Sequence, residues 1–248
     1  MSTEQVGEGV FRLAEGLVNC YLIEDGGEVT VIDAAWPRSW DALQGAVADI
    51  GRSPSDVRAV VLTHGHPDHL GSAERARRSW GVPVMAYRGE VERVKGRARG
   101  SSPFSLVPVL LPQLWRPSAF GFVLHATARG FLTPTWVGEV AAFDDGEELD
   151  VPGRPRAVFT PGHTEGHTSF HLPERGVFLA GDALLTLDPL TREEGPRLPP
   201  DSLNTDSDQA RNSLDRLADI EAEMVLPGHG DPWKDGLPAA VERAREAA

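Results

Sequence analysis

Three of the chain's eight histidines and one aspartate stand within the six residues HGHPDH, 64–69. They directly follow VRAVVLT, 57–63, a short continuous apolar run that is typical of a strand buried on both faces. The histidines are therefore expected on the loop that leaves the carboxyl end of a core strand. Loops held by a rigid scaffold often carry binding and catalytic groups, so the motif predicts a site that other parts of the chain complete.

The remaining candidates follow other predicted strands. His163 and His167 come after RAVFT, Asp182 ends GVFLAGD, and His229 follows MVLPG. In a layered fold the carboxyl ends of such strands lie along one edge, so these groups can converge with the first loop. Four strand ends would then each deliver a polar group that can bind a metal.

The spacing within HGHPDH divides its donors between two neighbouring ions. His64 and His66 lie two apart and can project to the same side of an extended loop, whereas Asp68 and His69 follow the turn at Pro67. A hydrolytic zinc site uses three protein ligands and keeps one position open. The donors suffice for two such sites and one bridging carboxylate: His64, His66 and His163; Asp68, His69 and His229; and Asp182. Imidazole and carboxylate suit Zn²⁺, Fe or Mn, and we expect two divalent ions, with zinc preferred.

The rest of the chain has an α/β pattern in which hairpins, a helix and an apolar strand recur in both halves. We expect one domain over residues 1–248, interrupted at 96–141 by an insertion rich in proline, glycine and large apolar residues. The insertion is predicted to be a lid or a pocket wall, although irregular helices that fill the core fit the same composition.

Composition excludes several classes of partner. The net charge of −13 argues against nucleic acid and against an anionic membrane surface, both of which attract clustered basic residues. Cys20 is the only cysteine, so a disulfide framework and a thiolate metal cluster are excluded, and we expect it to be buried. The first residues show no secretory pattern, which predicts a cytoplasmic protein that acts on a small molecule.

Four motifs together resemble the metallo-β-lactamase superfamily in order and separation: THGHPDH (63–69), TPGHTEGHTS (160–169), LAGDAL (179–184) and LPGHG (226–230). The resemblance implies a four-layer αβ/βα sandwich of two mixed β-sheets with helices outside, and a dinuclear metal site on one edge. It places the same two ligand triads on the two metals, with Asp182 between them. It also implies that Asp33 supports a ligand histidine, although a plain turn role fits Asp33 equally well. A supporting role is expected for His167 rather than ligation. His125 and His171 are assigned no role.

The resemblance implies a hydrolase that uses a bridging hydroxide to cleave an ester, a lactone or a thioester, with Asp68 orienting the nucleophile or passing a proton to the leaving group. The absence of both a secretory pattern and a cysteine at position 182 argues against a secreted β-lactamase. The short stretch after His229 argues against the glyoxalase II type. Two alternatives stay open: a persulfide dioxygenase with one iron, and a metal-binding protein without turnover.

The apolar side chains of the insertion predict where the substrate binds. Seven large apolar residues of the insertion could form a hydrophobic acyl pocket: Phe104, Leu110, Leu111, Trp115, Phe120, Phe122 and Trp136. The same residues could instead form the contact surface of a homodimer, since exposed apolar patches often do.

Overall fold

The computed structural model describes residues 3–247, and its larger sheet has seven strands in chain order. The first four strands pair antiparallel and the last four pair parallel, so the sheet is mixed. Its strands are β1 (Thr3–Gly7), β2 (Val10–Glu15), β3 (Val18–Asp25), β4 (Glu28–Ile32), β5 (Val57–Val61), β6 (Val84–Tyr87) and β7 (Ala141–Phe143). Gly26 and Gly27, both at positive φ, form the tight turn between β3 and β4.

A second mixed sheet and a two-stranded ribbon come from the second half of the chain. The sheet strands are β8 (Arg156–Phe159), β9 (Thr168–Leu172), β10 (Val177–Gly181) and β13 (Met224–Pro227), and the ribbon consists of β11 (Leu185–Leu187) and β12 (Glu194–Arg197). The sheet order is β13-β10-β9-β8, in which only β10 and β13 are parallel.

Eight α-helices accompany the sheets in the described part of the chain: α1 (Trp40–Asp49), α2 (Pro67–Leu70), α3 (Ala73–Trp80), α4 (Val91–Val94), α5 (Val107–Leu110), α6 (Pro117–Ala128), α7 (Ser207–Leu217) and α8 (Leu237–Glu246). Within residues 3–247, none of them has both the length and the apolar character that crossing a membrane requires.

Three apolar clusters define the layers. One lies between the sheets, where Ile23 and Val61 of the larger sheet share a cluster with Phe170 and Leu179 of the smaller one. A second joins the outer face of the larger sheet to α1, α3 and the insertion, and a third joins the outer face of the smaller sheet to α7 and α8. The order is helix, sheet, sheet, helix, as predicted.

Most sequence-based boundaries agree with the structure, and Cys20 is buried as expected. The strand predicted over 57–63 ends at Val61, because the backbone N–H of Thr63 donates to the Asp33 carboxylate (2.8 Å) rather than continuing a strand ladder. Neither β1 nor the β11–β12 ribbon was predicted, since all three strands are short and β1 and β12 have few apolar residues.

The insertion at 96–141 is helical, although its sequence shows no clean period. It contains α5, α6 and 3₁₀ turns, and a proline lies in the first turn of each. Proline is favourable there because the first helical N–H groups have no partner within the helix. The prolines that obscure the period in the sequence therefore start the helices.

Close packing around Gly71 predicts a stability difference between two glycine variants. A Cβ at Gly71 would lie 2.2 Å from the Trp36 carbonyl carbon, whereas a Cβ at Gly45 in α1 would meet nothing within 4 Å. We expect Gly71→Ala to lower the free energy of unfolding by about 1–3 kcal/mol. Gly45→Ala is the matched control and should raise it by about 0.5–1 kcal/mol. Urea denaturation measures both, and equal effects would contradict the packing at Gly71.

Candidate metal centre

Seven side chains from four strand ends meet at one edge of the two sheets. They follow β5, β8, β10 and β13, and six of the seven are buried while His66 is half-buried. Their donor atoms form three overlapping groups, in each of which all atoms lie within 4.8 Å of one another. The side chains brought together are the ones that the sequence singles out: His64, His66, Asp68, His69, His163, Asp182 and His229.

The first group consists of three imidazoles. His66 Nδ1 lies 3.1 Å from His64 Nε2 and 2.9 Å from His163 Nε2. Burial, reinforced by the neighbouring imidazoles, lowers the pKa of His64, and burial likewise lowers the pKa values of His66 and His163. Three neutral nitrogens thus face one another, and neutral imidazole is the form that binds a metal.

The second group contains a carboxylate and has the opposite electrostatics. Asp68 Oδ2 lies 3.5 Å from His229 Nε2 and 4.0 Å from His69 Nε2. Burial disfavours the charged form of both histidines, but Asp182 and Asp68 outweigh it, so the pKa values of His69 and His229 are raised. This part of the site attracts positive charge.

Asp182 lies between these two groups and forms the third group with His64 and His69. Its Oδ2 is 3.4 Å from His163 Nε2 and 3.3 Å from His229 Nε2, and its Oδ1 is 3.5 Å from His69 Nε2. Among the described residues, Asp182 Oδ1 and His69 Nε2 have no hydrogen-bond partner although both are buried. Leaving such atoms unpaired is costly, so the donor set fits cations that these atoms would coordinate.

Asp33 positions two of the histidines, His69 directly and His64 through the hydroxyl of Thr63. Its Oδ2 accepts from His69 Nδ1 (2.7 Å) and from the Thr63 hydroxyl (2.8 Å), whose oxygen lies 3.0 Å from His64 Nδ1. The backbone of Asp33 has φ = 60°, a left-handed conformation that residues other than glycine rarely adopt. These bonds direct the Nε2 atoms of His64 and His69 towards the cluster.

The other two Nε2 donors are oriented in the same way. His163 Nδ1 lies 3.2 Å from Asn204 Oδ1, and His229 Nδ1 donates to the backbone carbonyl of Leu17. When these rings are neutral, each Nε2 carries no proton and is directed into the cluster. Sequence reasoning missed Asn204 and Leu17, because neither carries a recognisable signal and both are distant along the chain from their histidines.

His167 lies beside the cluster but is directed elsewhere. Its Nε2 accepts the backbone N–H of Asp182 (2.9 Å), and its Nδ1 lies 2.9 Å from Thr160 Oγ1. Burial lowers the pKa of His167 to about 3, so the ring is neutral and can accept that bond. The structure places it in a supporting position that orients Asp182.

Glu90 joins two of the ligand loops, and the sequence analysis did not predict this role. This fully buried carboxylate accepts the backbone N–H of Gly65 (2.9 Å) with Oε1 and that of Gly166 (2.8 Å) with Oε2. It thereby joins the loop of His64 and His66 to the loop of His163. Its position just after β6 was a usable signal, since it repeats the pattern of a polar group behind a strand end.

A cavity of about 50 Å³ opens over the cluster. Five of the seven side chains form its polar base: His66, Asp68, His163, Asp182 and His229. The other lining residues are apolar and come from the insertion and from the chain after β10: Leu106, Leu110, Phe122, Phe131, Leu185, Pro189, Pro199 and Leu203.

The predicted aromatic pocket residues do not all lie at this cavity. Phe122 lines it, whereas Phe104, Trp115 and Phe120 are 63%, 76% and 56% exposed and do not. Trp136 packs beside Gly96 and against the core, and it does not line the cavity either. The structure thus places Phe122 at the site and the other four aromatic residues away from it.

The chain is similar to known proteins along nearly its whole length. A family model described as the metallo-beta-lactamase superfamily matches residues 13–229. The "Probable metallo-hydrolase YflN" of Bacillus subtilis (strain 168) is 30% identical, over 92% of this chain and 86% of the relative. The "Probable metallo-hydrolase YybB" of the same organism is 22% identical, over 93% of this chain and 92% of the relative.

Solved structures agree. A metallo-beta-lactamase family protein from Thermus thermophilus, TTHA1429, is 30% identical and superposes with a TM-score of 0.68, covering 96% of this chain and 79% of that protein. The metallo-beta-lactamase SMB-1 has a TM-score of 0.71 at 16% identity, covering 99% of this chain and 94% of that protein, a likeness that shows the fold alone. These matches confirm the predicted fold class.

The position of Glu90 predicts that it supports metal binding. In Glu90→Gln an amide NH₂ faces one of the two backbone N–H groups, so one hydrogen bond is lost. The substitution also removes the negative charge next to Arg93, whose Nε lies 3.5 Å from Glu90 Oε1. We expect zinc affinity to fall by about 10–100-fold and the free energy of unfolding by about 1–3 kcal/mol. Zinc competition titration of the folded variant measures the first effect.

The matched control is Glu92→Gln, which changes an exposed carboxylate two residues away. It should leave zinc affinity unchanged. Wild-type zinc affinity in Glu90→Gln would contradict the role of Glu90.

Proposed function

Because the chain belongs to the metallo-β-lactamase superfamily, we propose that it is a metal-dependent hydrolase with a dinuclear centre that cleaves an ester, a lactone or a thioester of a small molecule. The observation that carries this proposal is the cluster of seven nitrogen and oxygen donors, five of which form the base of an otherwise apolar cavity. The names of the relatives, probable metallo-hydrolases, support the hydrolase class.

We assign one ion to His64, His66 and His163 and the other to Asp68, His69 and His229, with Asp182 shared. Neutral imidazoles and carboxylates support zinc, although iron and manganese accept the same donors. When bound, such ions polarise a carbonyl oxygen as Lewis acids and lower the pKa of water, so that hydroxide is available near neutral pH.

The chain's own residues supply the remaining functions. Asp68 lines the cavity, and its Oδ2 faces His229 and His69. Its other oxygen, Oδ1, is therefore the one that can hold a proton for delivery to the leaving oxygen or sulfur. The apolar walls, which include Phe122 and Leu203, limit the access of bulk water and so strengthen electrostatic interactions at the base.

The two alternatives predicted from the sequence differ from this proposal in metal content or in turnover. A persulfide dioxygenase would use one iron, whereas the second group, Asp68, His69 and His229, supports a second ion. A protein without turnover would not need a cavity that leaves His66 and Asp68 open to a substrate.

Loss of a ligand should abolish hydrolysis without unfolding the chain. We expect this of His66→Ala, because His66 is only half-buried, and of Asp182→Asn, which keeps the shape of the side chain. Hydrolysis of p-nitrophenyl acetate and of a thioester, with circular dichroism as a folding check, measures both variants. His171→Ala is the control, since His171 contacts the Glu221 carbonyl outside the cluster. Undiminished turnover in either ligand variant with wild-type metal content would refute the assignment.

Metal analysis separates the proposal from the iron alternative. Elemental analysis of the purified protein should find about two zinc ions per chain, because both triads are complete. In His229→Ala the second triad loses one ligand, and we expect about one ion to remain. About one iron per chain in the wild-type protein, with no loss in His229→Ala, would favour the dioxygenase.

A further inference from the structure

A second cavity, of about 150 Å³, lies beside the cavity over the cluster. It lies between the segment 103–114 and α6 with the turn that follows α6. We call it the apolar compartment. The residues that line it and do not line the first cavity include Val107, Leu114, Val123, Ala126, Thr127 and Leu132.

The two cavities share a wall. Leu110, Phe122 and Phe131 line both of them, and each of these side chains is 8–9% exposed. A ligand over the cluster would reach the compartment by changing the rotamers of these shared side chains.

The lining of the compartment is almost wholly apolar. Among the described residues that form it, Thr127 is the only one with a polar side chain, and none is charged. A polar substituent would lose its hydration there without gaining a partner, whereas burial of an aliphatic chain is favourable.

We propose that the apolar compartment holds an aliphatic chain of the substrate while the scissile carbonyl lies over the cluster. This inference rests on the proposed function, since it extends the same site. At its outer side the compartment is bounded by Val107 and Leu111, which are 39% and 59% exposed. The gain from lengthening the chain therefore ends where the chain reaches solvent.

The acyl group and the leaving group are the two possible sources of the chain, and two ester series distinguish them. One series is p-nitrophenyl esters from acetate to decanoate, and the other is alkyl acetates from methyl to octyl. In one series kcat/KM should rise up to about fourfold per added methylene and then level off, the fold-change that corresponds to about 0.8 kcal/mol per buried CH₂. Indifference to length in both series would overturn the proposal.

Two neighbouring positions on α6 provide a matched pair of variants. Val123→Phe fills the compartment and should flatten the dependence on chain length. Leu124→Phe adds a ring at a residue that is 62% exposed and lines neither cavity, so it should keep the wild-type dependence. Should Val123→Phe fail to fold, Thr127→Asp, which places a charge at an exposed lining residue, should flatten the dependence in the same way.

Calorimetric binding of n-alkanols, from butanol to decanol, tests the compartment without turnover. Affinity should increase with length in the wild-type protein and in Leu124→Phe, and should not in Val123→Phe or Thr127→Asp. If no ester is hydrolysed but this pattern appears, the hydrolase proposal fails and the compartment stands. If esters are hydrolysed without dependence on length and the alkanols bind without it, the compartment fails and the hydrolase proposal stands.

Discussion

The structure depends on the close approach of unprotonated imidazole nitrogens and two carboxylates in a buried space. His66 Nδ1 lies 3.1 Å from His64 Nε2 and 2.9 Å from His163 Nε2. Among the described residues, the buried atoms Asp182 Oδ1 and His69 Nε2 lack hydrogen-bond partners. Without cations this arrangement is unfavourable, because buried polar groups are stable only when paired. Its presence at the meeting point of four strand ends indicates that the surrounding structure is built to hold it.

Hydrogen bonds between the two sheets fix the relative position of the sheets at the site. Tyr21 of the larger sheet donates its hydroxyl to the Pro227 carbonyl (2.7 Å), next to the loop of His229. Glu90, which follows a strand of the larger sheet, bonds to the loop that carries His163. Each triad takes ligands from both sheets, so a small relative movement of the sheets would draw His163 and His229 away from the other ligands of their triads. The packing between the sheets and the geometry of the site therefore depend on each other.

Much of this was accessible from the sequence because the ligands lie in short motifs behind strands with strong apolar patterns. The convergence of the seven side chains follows from those motifs, and the layer order with its two mixed sheets follows from the family resemblance that the motifs carry. Glu90 and Asn204 were missed because a supporting residue needs only one correctly placed oxygen, and its partner is set by tertiary packing. The aromatic residues of the insertion show a second limit. α6 is apolar on every side, so its sequence does not reveal that Phe122 faces inward while Phe120 faces solvent.

We propose that two cations occupy the space between the four loops. Anomalous diffraction at the zinc absorption edge, from crystals grown with zinc, tests it directly. We predict two peaks about 3.5–4 Å apart, one beside His64, His66 and His163 and the other beside Asp68, His69 and His229, with Asp182 between them. A map with no peak in this space, or with zinc bound only elsewhere on the surface, would contradict the account.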